Sequence, residues 1–396
     1  MKKYTGQSIL SIGLATLCLF TTPLVADVGS LDAAFSQSTY SGHLRFGYIS
    51  SDADVPATNS TTASAVGGFI KFETAKWNDL QFSLAPYFSE KIGSLSGDES
   101  TGKLNADFFD SNLNSFAYLG ELYTQYNWKD GQLRYGRQLI ETPFINGDDL
   151  RMLLHSYEAT WVNHTVSDNL KLQGGVVTRW AGLGHGASQD TFEEASNEGV
   201  TVLGITYQMN TQHSLQIWQY DFDKNYSLTY FDAAYVKGNF EAGAQYGNFR
   251  EYNNSNVDGS FYGLLAQYNF EPVTIIVAYN KASNDAGKSV SAGLGVGNFY
   301  TTMDDSFIAD KTDAEAYRLG LDYAVNQNLN ISLGYGHYED ANKATVDTDE
   351  QNIIVTYNVS KTSDIEFIHV VIDNAAAPLD TTSNVTRQLL RANYRF

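Results

Sequence analysis

The residues best suited to act on a solute lie in one charged segment between two predicted strands. It carries acidic and basic side chains close together: Arg134, Arg137, Glu141, Asp148, Asp149, Arg151 and His155. Acids and bases that face each other across a water-filled space create a transverse field, which orients dipolar solutes and disfavours apolar ones. Paired carboxylates could instead perform acid–base catalysis or hold a cation.

Motifs give little support to the catalytic and metal alternatives. Asp148 and Asp149 lack the Asp-x-Asp-x-Asp-Gly spacing of a calcium loop. The chain has no Gly-x-Ser-x-Gly and no His-Glu-x-x-His, and its seven histidines are scattered without ligand spacing. We therefore expect no catalytic residue, no metal and no cofactor. Spacing alone leaves open a serine–histidine pair whose members are distant in sequence.

A second set of basic residues falls on the polar face of predicted strands. In the last strand, aromatic and apolar residues alternate with polar ones, so Arg387 and Arg391 point inward if Phe396 faces lipid. Arg395 is expected to be a solvated residue at the rim. The same alternation predicts an inward orientation for Arg45, Arg318, Arg179 and Lys71. A charge facing lipid at the midplane costs about 2–4 kcal/mol, so inward placement is expected whether or not a solute uses these residues.

The elements that position these residues are β-strands. Short turns such as 129–131 alternate with long loops such as 139–155, an asymmetry typical of outer-membrane barrels. We predict an all-β fold, a transmembrane antiparallel β-barrel of about eighteen strands whose third external loop folds inward. Closure would bring Arg387 and Arg391 next to Arg45. The predicted strands are 41–49, 66–77, 79–89, 115–128, 131–138, 156–166, 169–179, 198–209, 212–222, 226–236, 239–251, 258–270, 272–283, 313–325, 328–339, 348–359, 362–373 and 384–396.

The N-terminus predicts export across the inner membrane. Residues 1–26 combine a basic start, an apolar stretch over 9–20 and a small residue at the end, which together indicate a cleaved signal peptide. The only cysteine, Cys18, lies within it, so the mature chain is expected to lack thiols and disulfides. We divide the rest into a periplasmic lead-in, 27–38, and one outer-membrane barrel, 39–396.

Composition narrows the function classes. The formal charge is −20 and becomes −22 when Lys2 and Lys3 are removed with the signal, so we expect no nucleic-acid partner. The 22 Phe, 26 Tyr and 33 Gly with only 6 Pro do not suit a disordered acidic chain. They are typical of many strands joined by tight turns.

Three stretches carry a family resemblance. They are Gly136-Arg-Gln with Thr142-Pro143 and Asp149-x-Arg151-Met152, then Tyr118-Leu-Gly-Glu-Leu-Tyr-Thr-Gln-Tyr126, and Ala33-Ala-Phe followed by Ser41-Gly-His-Leu-Arg45. In these stretches the chain resembles the OprD-type outer-membrane porins, also called outer-membrane carboxylate channels. The resemblance implies an eighteen-stranded barrel, an inward third loop and a lumenal row of basic residues along which an anionic group passes.

Together these features predict a porin for passive diffusion of small hydrophilic, carboxylate-bearing solutes, anionic or zwitterionic, through a charged constriction. We expect it in the outer membrane of a Gram-negative bacterium. Its expected partners are outer-membrane lipids, lipopolysaccharide and the barrel assembly machinery, and it would be a monomer or a trimer. A general cation-preferring porin, favoured by the acidic charge, is an alternative. A surface barrel hydrolase and an adhesive protein with a plugged lumen are further alternatives.

The glycine-rich segment 293–305 lies in the longest predicted outer loop. Its glycine spacing fits no phosphate-binding loop followed by a helix, so we interpret it as an ordinary loop. Folding back over the entrance of the barrel is a further hypothesis for this segment.

Overall fold

The chain forms a closed antiparallel β-barrel, which confirms the predicted architecture. The computed structural model describes residues 27–54, 60–149, 151–184, 188–285, 287–309, 311–340, 347–373 and 384–396. The predicted signal peptide, 1–26, lies outside these residues. Eighteen strands make the wall, and each pairs with its neighbours in sequence.

The wall strands agree closely with the pattern of alternation. The described residues include three short 3-10 helices, Gly93–Leu95, Glu99–Thr101 and Ala106–Phe108, and one strand of two residues that pairs with Arg179 and Trp180. The other elements in chain order are α1 (Leu31–Ser36), β1 (Thr39–Ala53), β2 (Thr61–Glu73), β3 (Leu80–Lys91), β4 (Phe116–Trp128), β5 (Gly131–Gln138), β6 (Ser156–Ser167), β7 (Leu170–Ala181), β8 (Glu193–Glu194), β9 (Val200–Gln208), β10 (His213–Phe222), β11 (Tyr226–Lys237), β12 (Phe240–Glu251), β13 (Gly259–Asn269), β14 (Val273–Ser283), β15 (Glu315–Ala324), β16 (Leu329–Glu339), β17 (Thr348–Asn358), β18 (Ser363–Asp373) and β19 (Val385–Arg395).

The largest departure from the predicted bounds is β2. It was expected over 66–77 but ends at Glu73, because the chain turns between Trp77 and Leu80, whose backbones exchange two hydrogen bonds. The segment predicted as a lead-in, 27–38, contains α1. This helix therefore precedes the barrel wall.

Closure occurs between the first and last strands. β1 pairs with both β2 and β19, with Arg45 opposite Asn393 and Gly47 opposite Arg391. A closed wall leaves no unpaired edge, so every strand can satisfy its backbone hydrogen bonds from its two neighbours. This seam brings the predicted arginines of β1 and β19 together.

The two faces of the wall differ in polarity. Large apolar side chains such as Leu203, Leu264 and Leu319 are exposed on the outside. Aromatic residues near the short-turn end, including Tyr268 and Phe396, are also exposed, as expected of a girdle at the membrane interface. Within the described ranges, no helix has the length and apolar character needed to cross a membrane.

Loops fill much of the lumen. In the constriction loop, 139–155, Phe144 is fully buried, and its ring lies 5.3 Å from that of Tyr230 and 5.7 Å from that of Phe299. Phe299 belongs to the loop between β14 and β15, here called the acidic-turn loop, 284–314. The third external loop is thus inward, as predicted. The glycine-rich segment also folds inside and is not an ordinary exposed loop, because its aromatic residues pack against the inner wall.

Candidate pore constriction

The centre of the site is an ion pair between the barrel wall and the constriction loop. The guanidinium of Arg45 donates from Nη1 to Asp149 Oδ1 at 2.6 Å and from Nη2 to Asp149 Oδ2 at 3.0 Å. Its Nε donates to Asn393 Oδ1 at 2.7 Å. Arg45 is only 2% exposed, so its charge is neutralised by a loop carboxylate and oriented by the neighbouring strand.

Arg391 lies beside this pair on the closing strand. Its Nε donates to Glu366 Oε1 of β18 at 3.0 Å, and its Nη1 donates to the backbone oxygen of Asp149 at 2.7 Å. Two arginines on adjacent strands therefore contact the same loop residue. This arrangement fixes Asp149 at the seam of the barrel.

Arg387 contacts the acidic-turn loop. Its Nη2 forms ion pairs with Asp304 and Asp305. The backbone amides of this turn are held in addition by Glu350 of β17, which accepts from Asp304 N at 2.8 Å and from Ser306 N at 2.7 Å. The acidic turn is thus bound to the wall through both its side chains and its backbone.

Arg151 links the two inward loops. Its Nε donates to Asp107 Oδ2 at 2.9 Å, and its Nη2 lies 3.5 Å from Asp305 Oδ1. Asp107 belongs to a third segment, the loop between β3 and β4. One buried arginine of the constriction loop therefore joins three external loops inside the lumen.

The carboxyl groups of the constriction loop have different pKa shifts. Burial raises the pKa of Glu141 and of Asp148 to about 7 each. Burial alone would also raise the pKa of Asp149, but the charge and hydrogen bonds of Arg45 outweigh it, so this pKa is lowered. Asp148 and Asp149, although adjacent, therefore change charge in different pH ranges.

His155 closes the constriction loop. Its backbone amide donates to the oxygen of Gly147 at 2.6 Å, and its Nε2 lies 2.9 Å from the oxygen of Leu183 and 3.7 Å from Asp148 Oδ2. The ring also packs edge-on against Trp180 at 5.0 Å. These contacts place His155 in support of the loop.

A second lumenal cluster surrounds Tyr123 on β4. The Lys71 ammonium lies 2.9 Å from Glu121 Oε2 and 5.1 Å from the centre of the Tyr123 ring. The Arg134 guanidinium lies 4.8 Å from the same ring, and its Nε donates to Gln125 Oε1 at 2.6 Å. Lys71 and Arg134 therefore lie on the part of the wall that β2 to β5 form, and not on the two seam strands β1 and β19.

Comparison with known proteins settles the family. The family model described as outer membrane porin, OprD family, matches residues 36–295. The chain belongs to the OprD family of outer membrane porins. No match was found among proteins of curated function. OprD-family porins are channels of the outer membrane, and both family and fold are those of channels rather than enzymes.

Solved structures with low sequence identity share the fold of this OprD-family porin. Acinetobacter baumannii OccAB4 has a TM-score of 0.74 at 16% identity and covers 91% of this chain and 98% of its own. A BenF-like porin from Pseudomonas fluorescens Pf-5 has a TM-score of 0.77 at 14% identity, with 92% and 100% covered. Pseudomonas aeruginosa OpdK has 0.73 at 16% identity, with 91% and 99% covered. At these identities the likeness concerns the fold.

Two predicted site residues of the porin face the other way. Arg179 was expected in the lumen, but Thr178 has no register partner on β6, and this bulge places Arg179 opposite Glu158. Glu158 lies between the buried, inward Tyr157 and Ala159, so alternation puts both Glu158 and Arg179 on the outer face. Arg137 was expected near the constriction, but it lies on β5 opposite the same Glu158, with its Nε 3.4 Å from Glu158 Oε2. The inward residues at this level are Tyr157 and Trp180, whose rings stack at 6.4 Å.

Two further arginines predicted from the strand pattern lie apart from the constriction. Arg318 is buried on β15, four strands from β19, and its Nη1 donates to the backbone oxygen of Tyr300 at 3.3 Å. Arg395 is exposed at the rim and pairs with Asp364, as expected of an end residue. Among the described residues, no group of three or more His, Cys, Asp or Glu side chains is arranged to hold a metal ion.

Sequence reasoning missed the acidic partners that come from outside the constriction loop. Asp107, Asp304, Asp305, Glu350 and Glu366 all contact the site, yet they come from two other loops and two strands. Glu366 could have been identified from the strand pattern, because alternation points it inward and it lies opposite Arg391 on the neighbouring strand. The loop residues carry no such pattern, because their position depends on how the loops pack.

Proposed function

We propose that this porin admits small hydrophilic solutes that carry a carboxylate, by passive diffusion through the constriction. The observation that carries the proposal is that Arg45, Arg387 and Arg391, on one wall of the lumen, each bind a carboxylate of the protein itself. The guanidinium groups that bind these carboxylates would bind a solute carboxylate in the same way. The guanidinium fork matches a carboxylate with two parallel hydrogen bonds.

Passage would occur by exchange of carboxylates. A solute approaching from outside meets the acidic turn at Arg387 and then Asp149 between Arg391 and Arg45, and its carboxylate replaces these groups in succession. Because each arginine has a carboxylate partner before and after the exchange, no buried guanidinium is left unpaired. Such exchange needs no cofactor, and the net flux follows the concentration gradient.

A relative gives modest support for this class of solute. The structure of Pseudomonas aeruginosa OpdK was solved with vanillate, which is an aromatic carboxylate. Contact with lipopolysaccharide, insertion by the barrel assembly machinery and a monomeric or trimeric state belong to the same proposal. The outer-membrane location of the family supports the contact with lipopolysaccharide.

Ion selectivity in planar bilayers tests the proposal. We expect Arg387→Ala and Arg391→Ala to shift the reversal potential under a salt gradient toward cation preference and to reduce benzoate permeation several-fold. Arg250→Ala is the matched control, because Arg250 is an exposed arginine of β12 outside the site. If both site variants keep the benzoate permeation of the control, the arginines do not guide carboxylates.

The general cation-preferring porin is the second candidate, favoured by a specific observation. Within the described part of the chain, the carboxylates that contact the site outnumber its arginines Arg45, Arg151, Arg387 and Arg391. A cation would then find excess negative charge at the constriction. Clear cation selectivity of the unmodified porin, unchanged by Arg391→Ala, would favour this candidate.

A further inference from the structure

The short helix α1 is fixed to the outside of the barrel at its short-turn end. Its residue Ala34 is 2% exposed, and the Ala34 oxygen accepts a hydrogen bond from the Ala75 amide at 3.0 Å. Just before the helix, the Val28 amide donates to the Lys76 oxygen at 2.8 Å. These bonds hold α1 against the turn between β2 and β3.

The aromatic contact of α1 shows which side of the wall it occupies. The Phe35 ring stacks on that of Phe72 at 6.2 Å, and Phe72 also lies 5.5 Å from the ring of Tyr40. Strand alternation places Phe72 on the outer face, because the adjacent Lys71 points into the lumen and bonds Glu121. The helix is therefore on the lipid-facing side.

One face of α1 is apolar and uncovered by the barrel. Leu31 and Phe35 are one helical turn apart and each is 51% exposed. Asp32 and Ser36, also one turn apart, form a polar face, and the Ser30 hydroxyl caps the first turn through the Ala33 amide at 3.1 Å. This division of faces is that of a helix lying in a membrane interface.

The apolar face continues a belt that already meets lipid. Exposed side chains at the same end of the wall include Leu80 and Tyr126 on neighbouring strands and Tyr394 and Phe396 at the C-terminus. Aromatic residues at the ends of barrel strands lie at the level of lipid headgroups. Phe35 lies next to this belt because its ring stacks on that of Phe72, an outward residue of β2.

We propose that α1 is an interfacial membrane anchor whose Leu31 and Phe35 insert into the outer-membrane leaflet on the side of the short turns. The partner is the boundary between phospholipid headgroups and acyl chains. Through the bonds of Ala34 and Val28, the inserted helix fixes the depth of the β2–β3 turn in the membrane. The proposal is independent of which solute the pore admits.

Site-directed spin labelling tests the anchor. In a Cys18→Ser background, which has no other cysteine, Leu31→Cys and Phe35→Cys each carry a nitroxide. The labelled barrels are reconstituted in phosphatidylethanolamine–phosphatidylglycerol vesicles, and heat-dependent gel migration verifies folding. The accessibility of each nitroxide to oxygen is compared with its accessibility to a water-soluble nickel chelate.

Three matched labels set the scale. Leu203→Cys faces lipid, Ser360→Cys lies in an exposed turn at the same end, and Ser36→Cys lies on the polar face of α1. We expect the oxygen-to-nickel ratio at positions 31 and 35 to exceed that at 36 and 360 several-fold and to approach that at 203. Ratios at 31 and 35 equal to that at 360 would overturn the proposal. Spin–spin broadening at both positions would also overturn it, by indicating a second barrel as the occupant.

Discussion

Arg45 of β1 and Asp149 of the constriction loop, 104 positions apart, form a two-point ion pair with distances of 2.6 and 3.0 Å. The pair connects the first strand of the barrel with its third external loop. Because Arg391 of the last strand donates to the backbone of the same aspartate, the loop is attached where the barrel closes. The position of the constriction thus depends on a contact between parts of the chain that are far apart in sequence.

Removal of the Arg45 guanidinium leaves the Asp149 carboxylate without its main partner. We expect Arg45→Ala to destabilise the porin by about 1–3 kcal/mol, below the range for fully buried pairs because the Asp149 side chain is about one-third exposed. Thermal unfolding in detergent measures this change. The double variant Arg45→Ala/Asp149→Asn should recover part of the loss, and purely additive effects of the two substitutions would contradict a direct coupling.

The pH dependence follows from Glu141 and Asp148. Their pKa values of about 7 lie above the unfolded values near 4, so the folded porin binds more protons. The stability contributed by these two groups is therefore complete below about pH 4 and is lost as the pH rises through about 7. We expect loop fluctuations in single-channel recordings and cation preference both to increase between pH 5 and pH 8.

Neutral variants separate this effect from general titration. Glu141→Gln and Asp148→Asn should flatten the change in reversal potential between pH 5 and pH 8. Asp149→Asn should leave it in place, because the lowered pKa of Asp149 keeps this residue charged over that range. An equally steep change in the Glu141→Gln/Asp148→Asn double variant would rule out these two groups as its source.

Phe144 anchors the constriction loop to the inner wall. Its buried ring lies within 6.2 Å of five other aromatic rings, which belong to Tyr220, Tyr230, Phe249, Phe261 and Phe299. Phe144→Ala should cost about 3–5 kcal/mol of packing and widen the pore. We expect a higher mean conductance with more frequent steps, and a smaller change for Phe144→Leu. An unchanged conductance in Phe144→Ala would show that this loop does not limit the pore.

Glu350 holds the acidic turn through the backbone. It accepts hydrogen bonds from the amides of Asp304, Asp305 and Ser306, and Gln at this position retains only one acceptor oxygen. We expect Glu350→Gln to release the acidic-turn loop and to increase the accessibility of that loop to added protease in vesicles. The barrel itself should keep its heat-dependent gel migration. Equal protection of the loop in Glu350→Gln would contradict this role.

Much of the barrel was predictable because its pattern is local. Successive residues of a strand point to opposite faces of the wall, and in a membrane barrel one face contacts lipid and the other contacts water. This alternation identified all eighteen wall strands and the inward position of Arg45, Arg387 and Arg391. The alternation was wrong for Arg179, because the extra residue Thr178 moves every following residue of β7 to the opposite face of the wall.

The sequence by itself determined the barrel, its closure and the inward position of Arg45, Arg387 and Arg391, since each follows from the cost of exposing polar groups to hydrocarbon. Only the tertiary structure decided which loop carboxylates meet the arginines of the site. Asp304 reaches Arg387 and Asp107 reaches Arg151 because long loops fold into the lumen and pack around Phe144 and Phe299. Such contacts join residues far apart in the chain, and their geometry is set by packing among loops whose sequences have no periodic pattern.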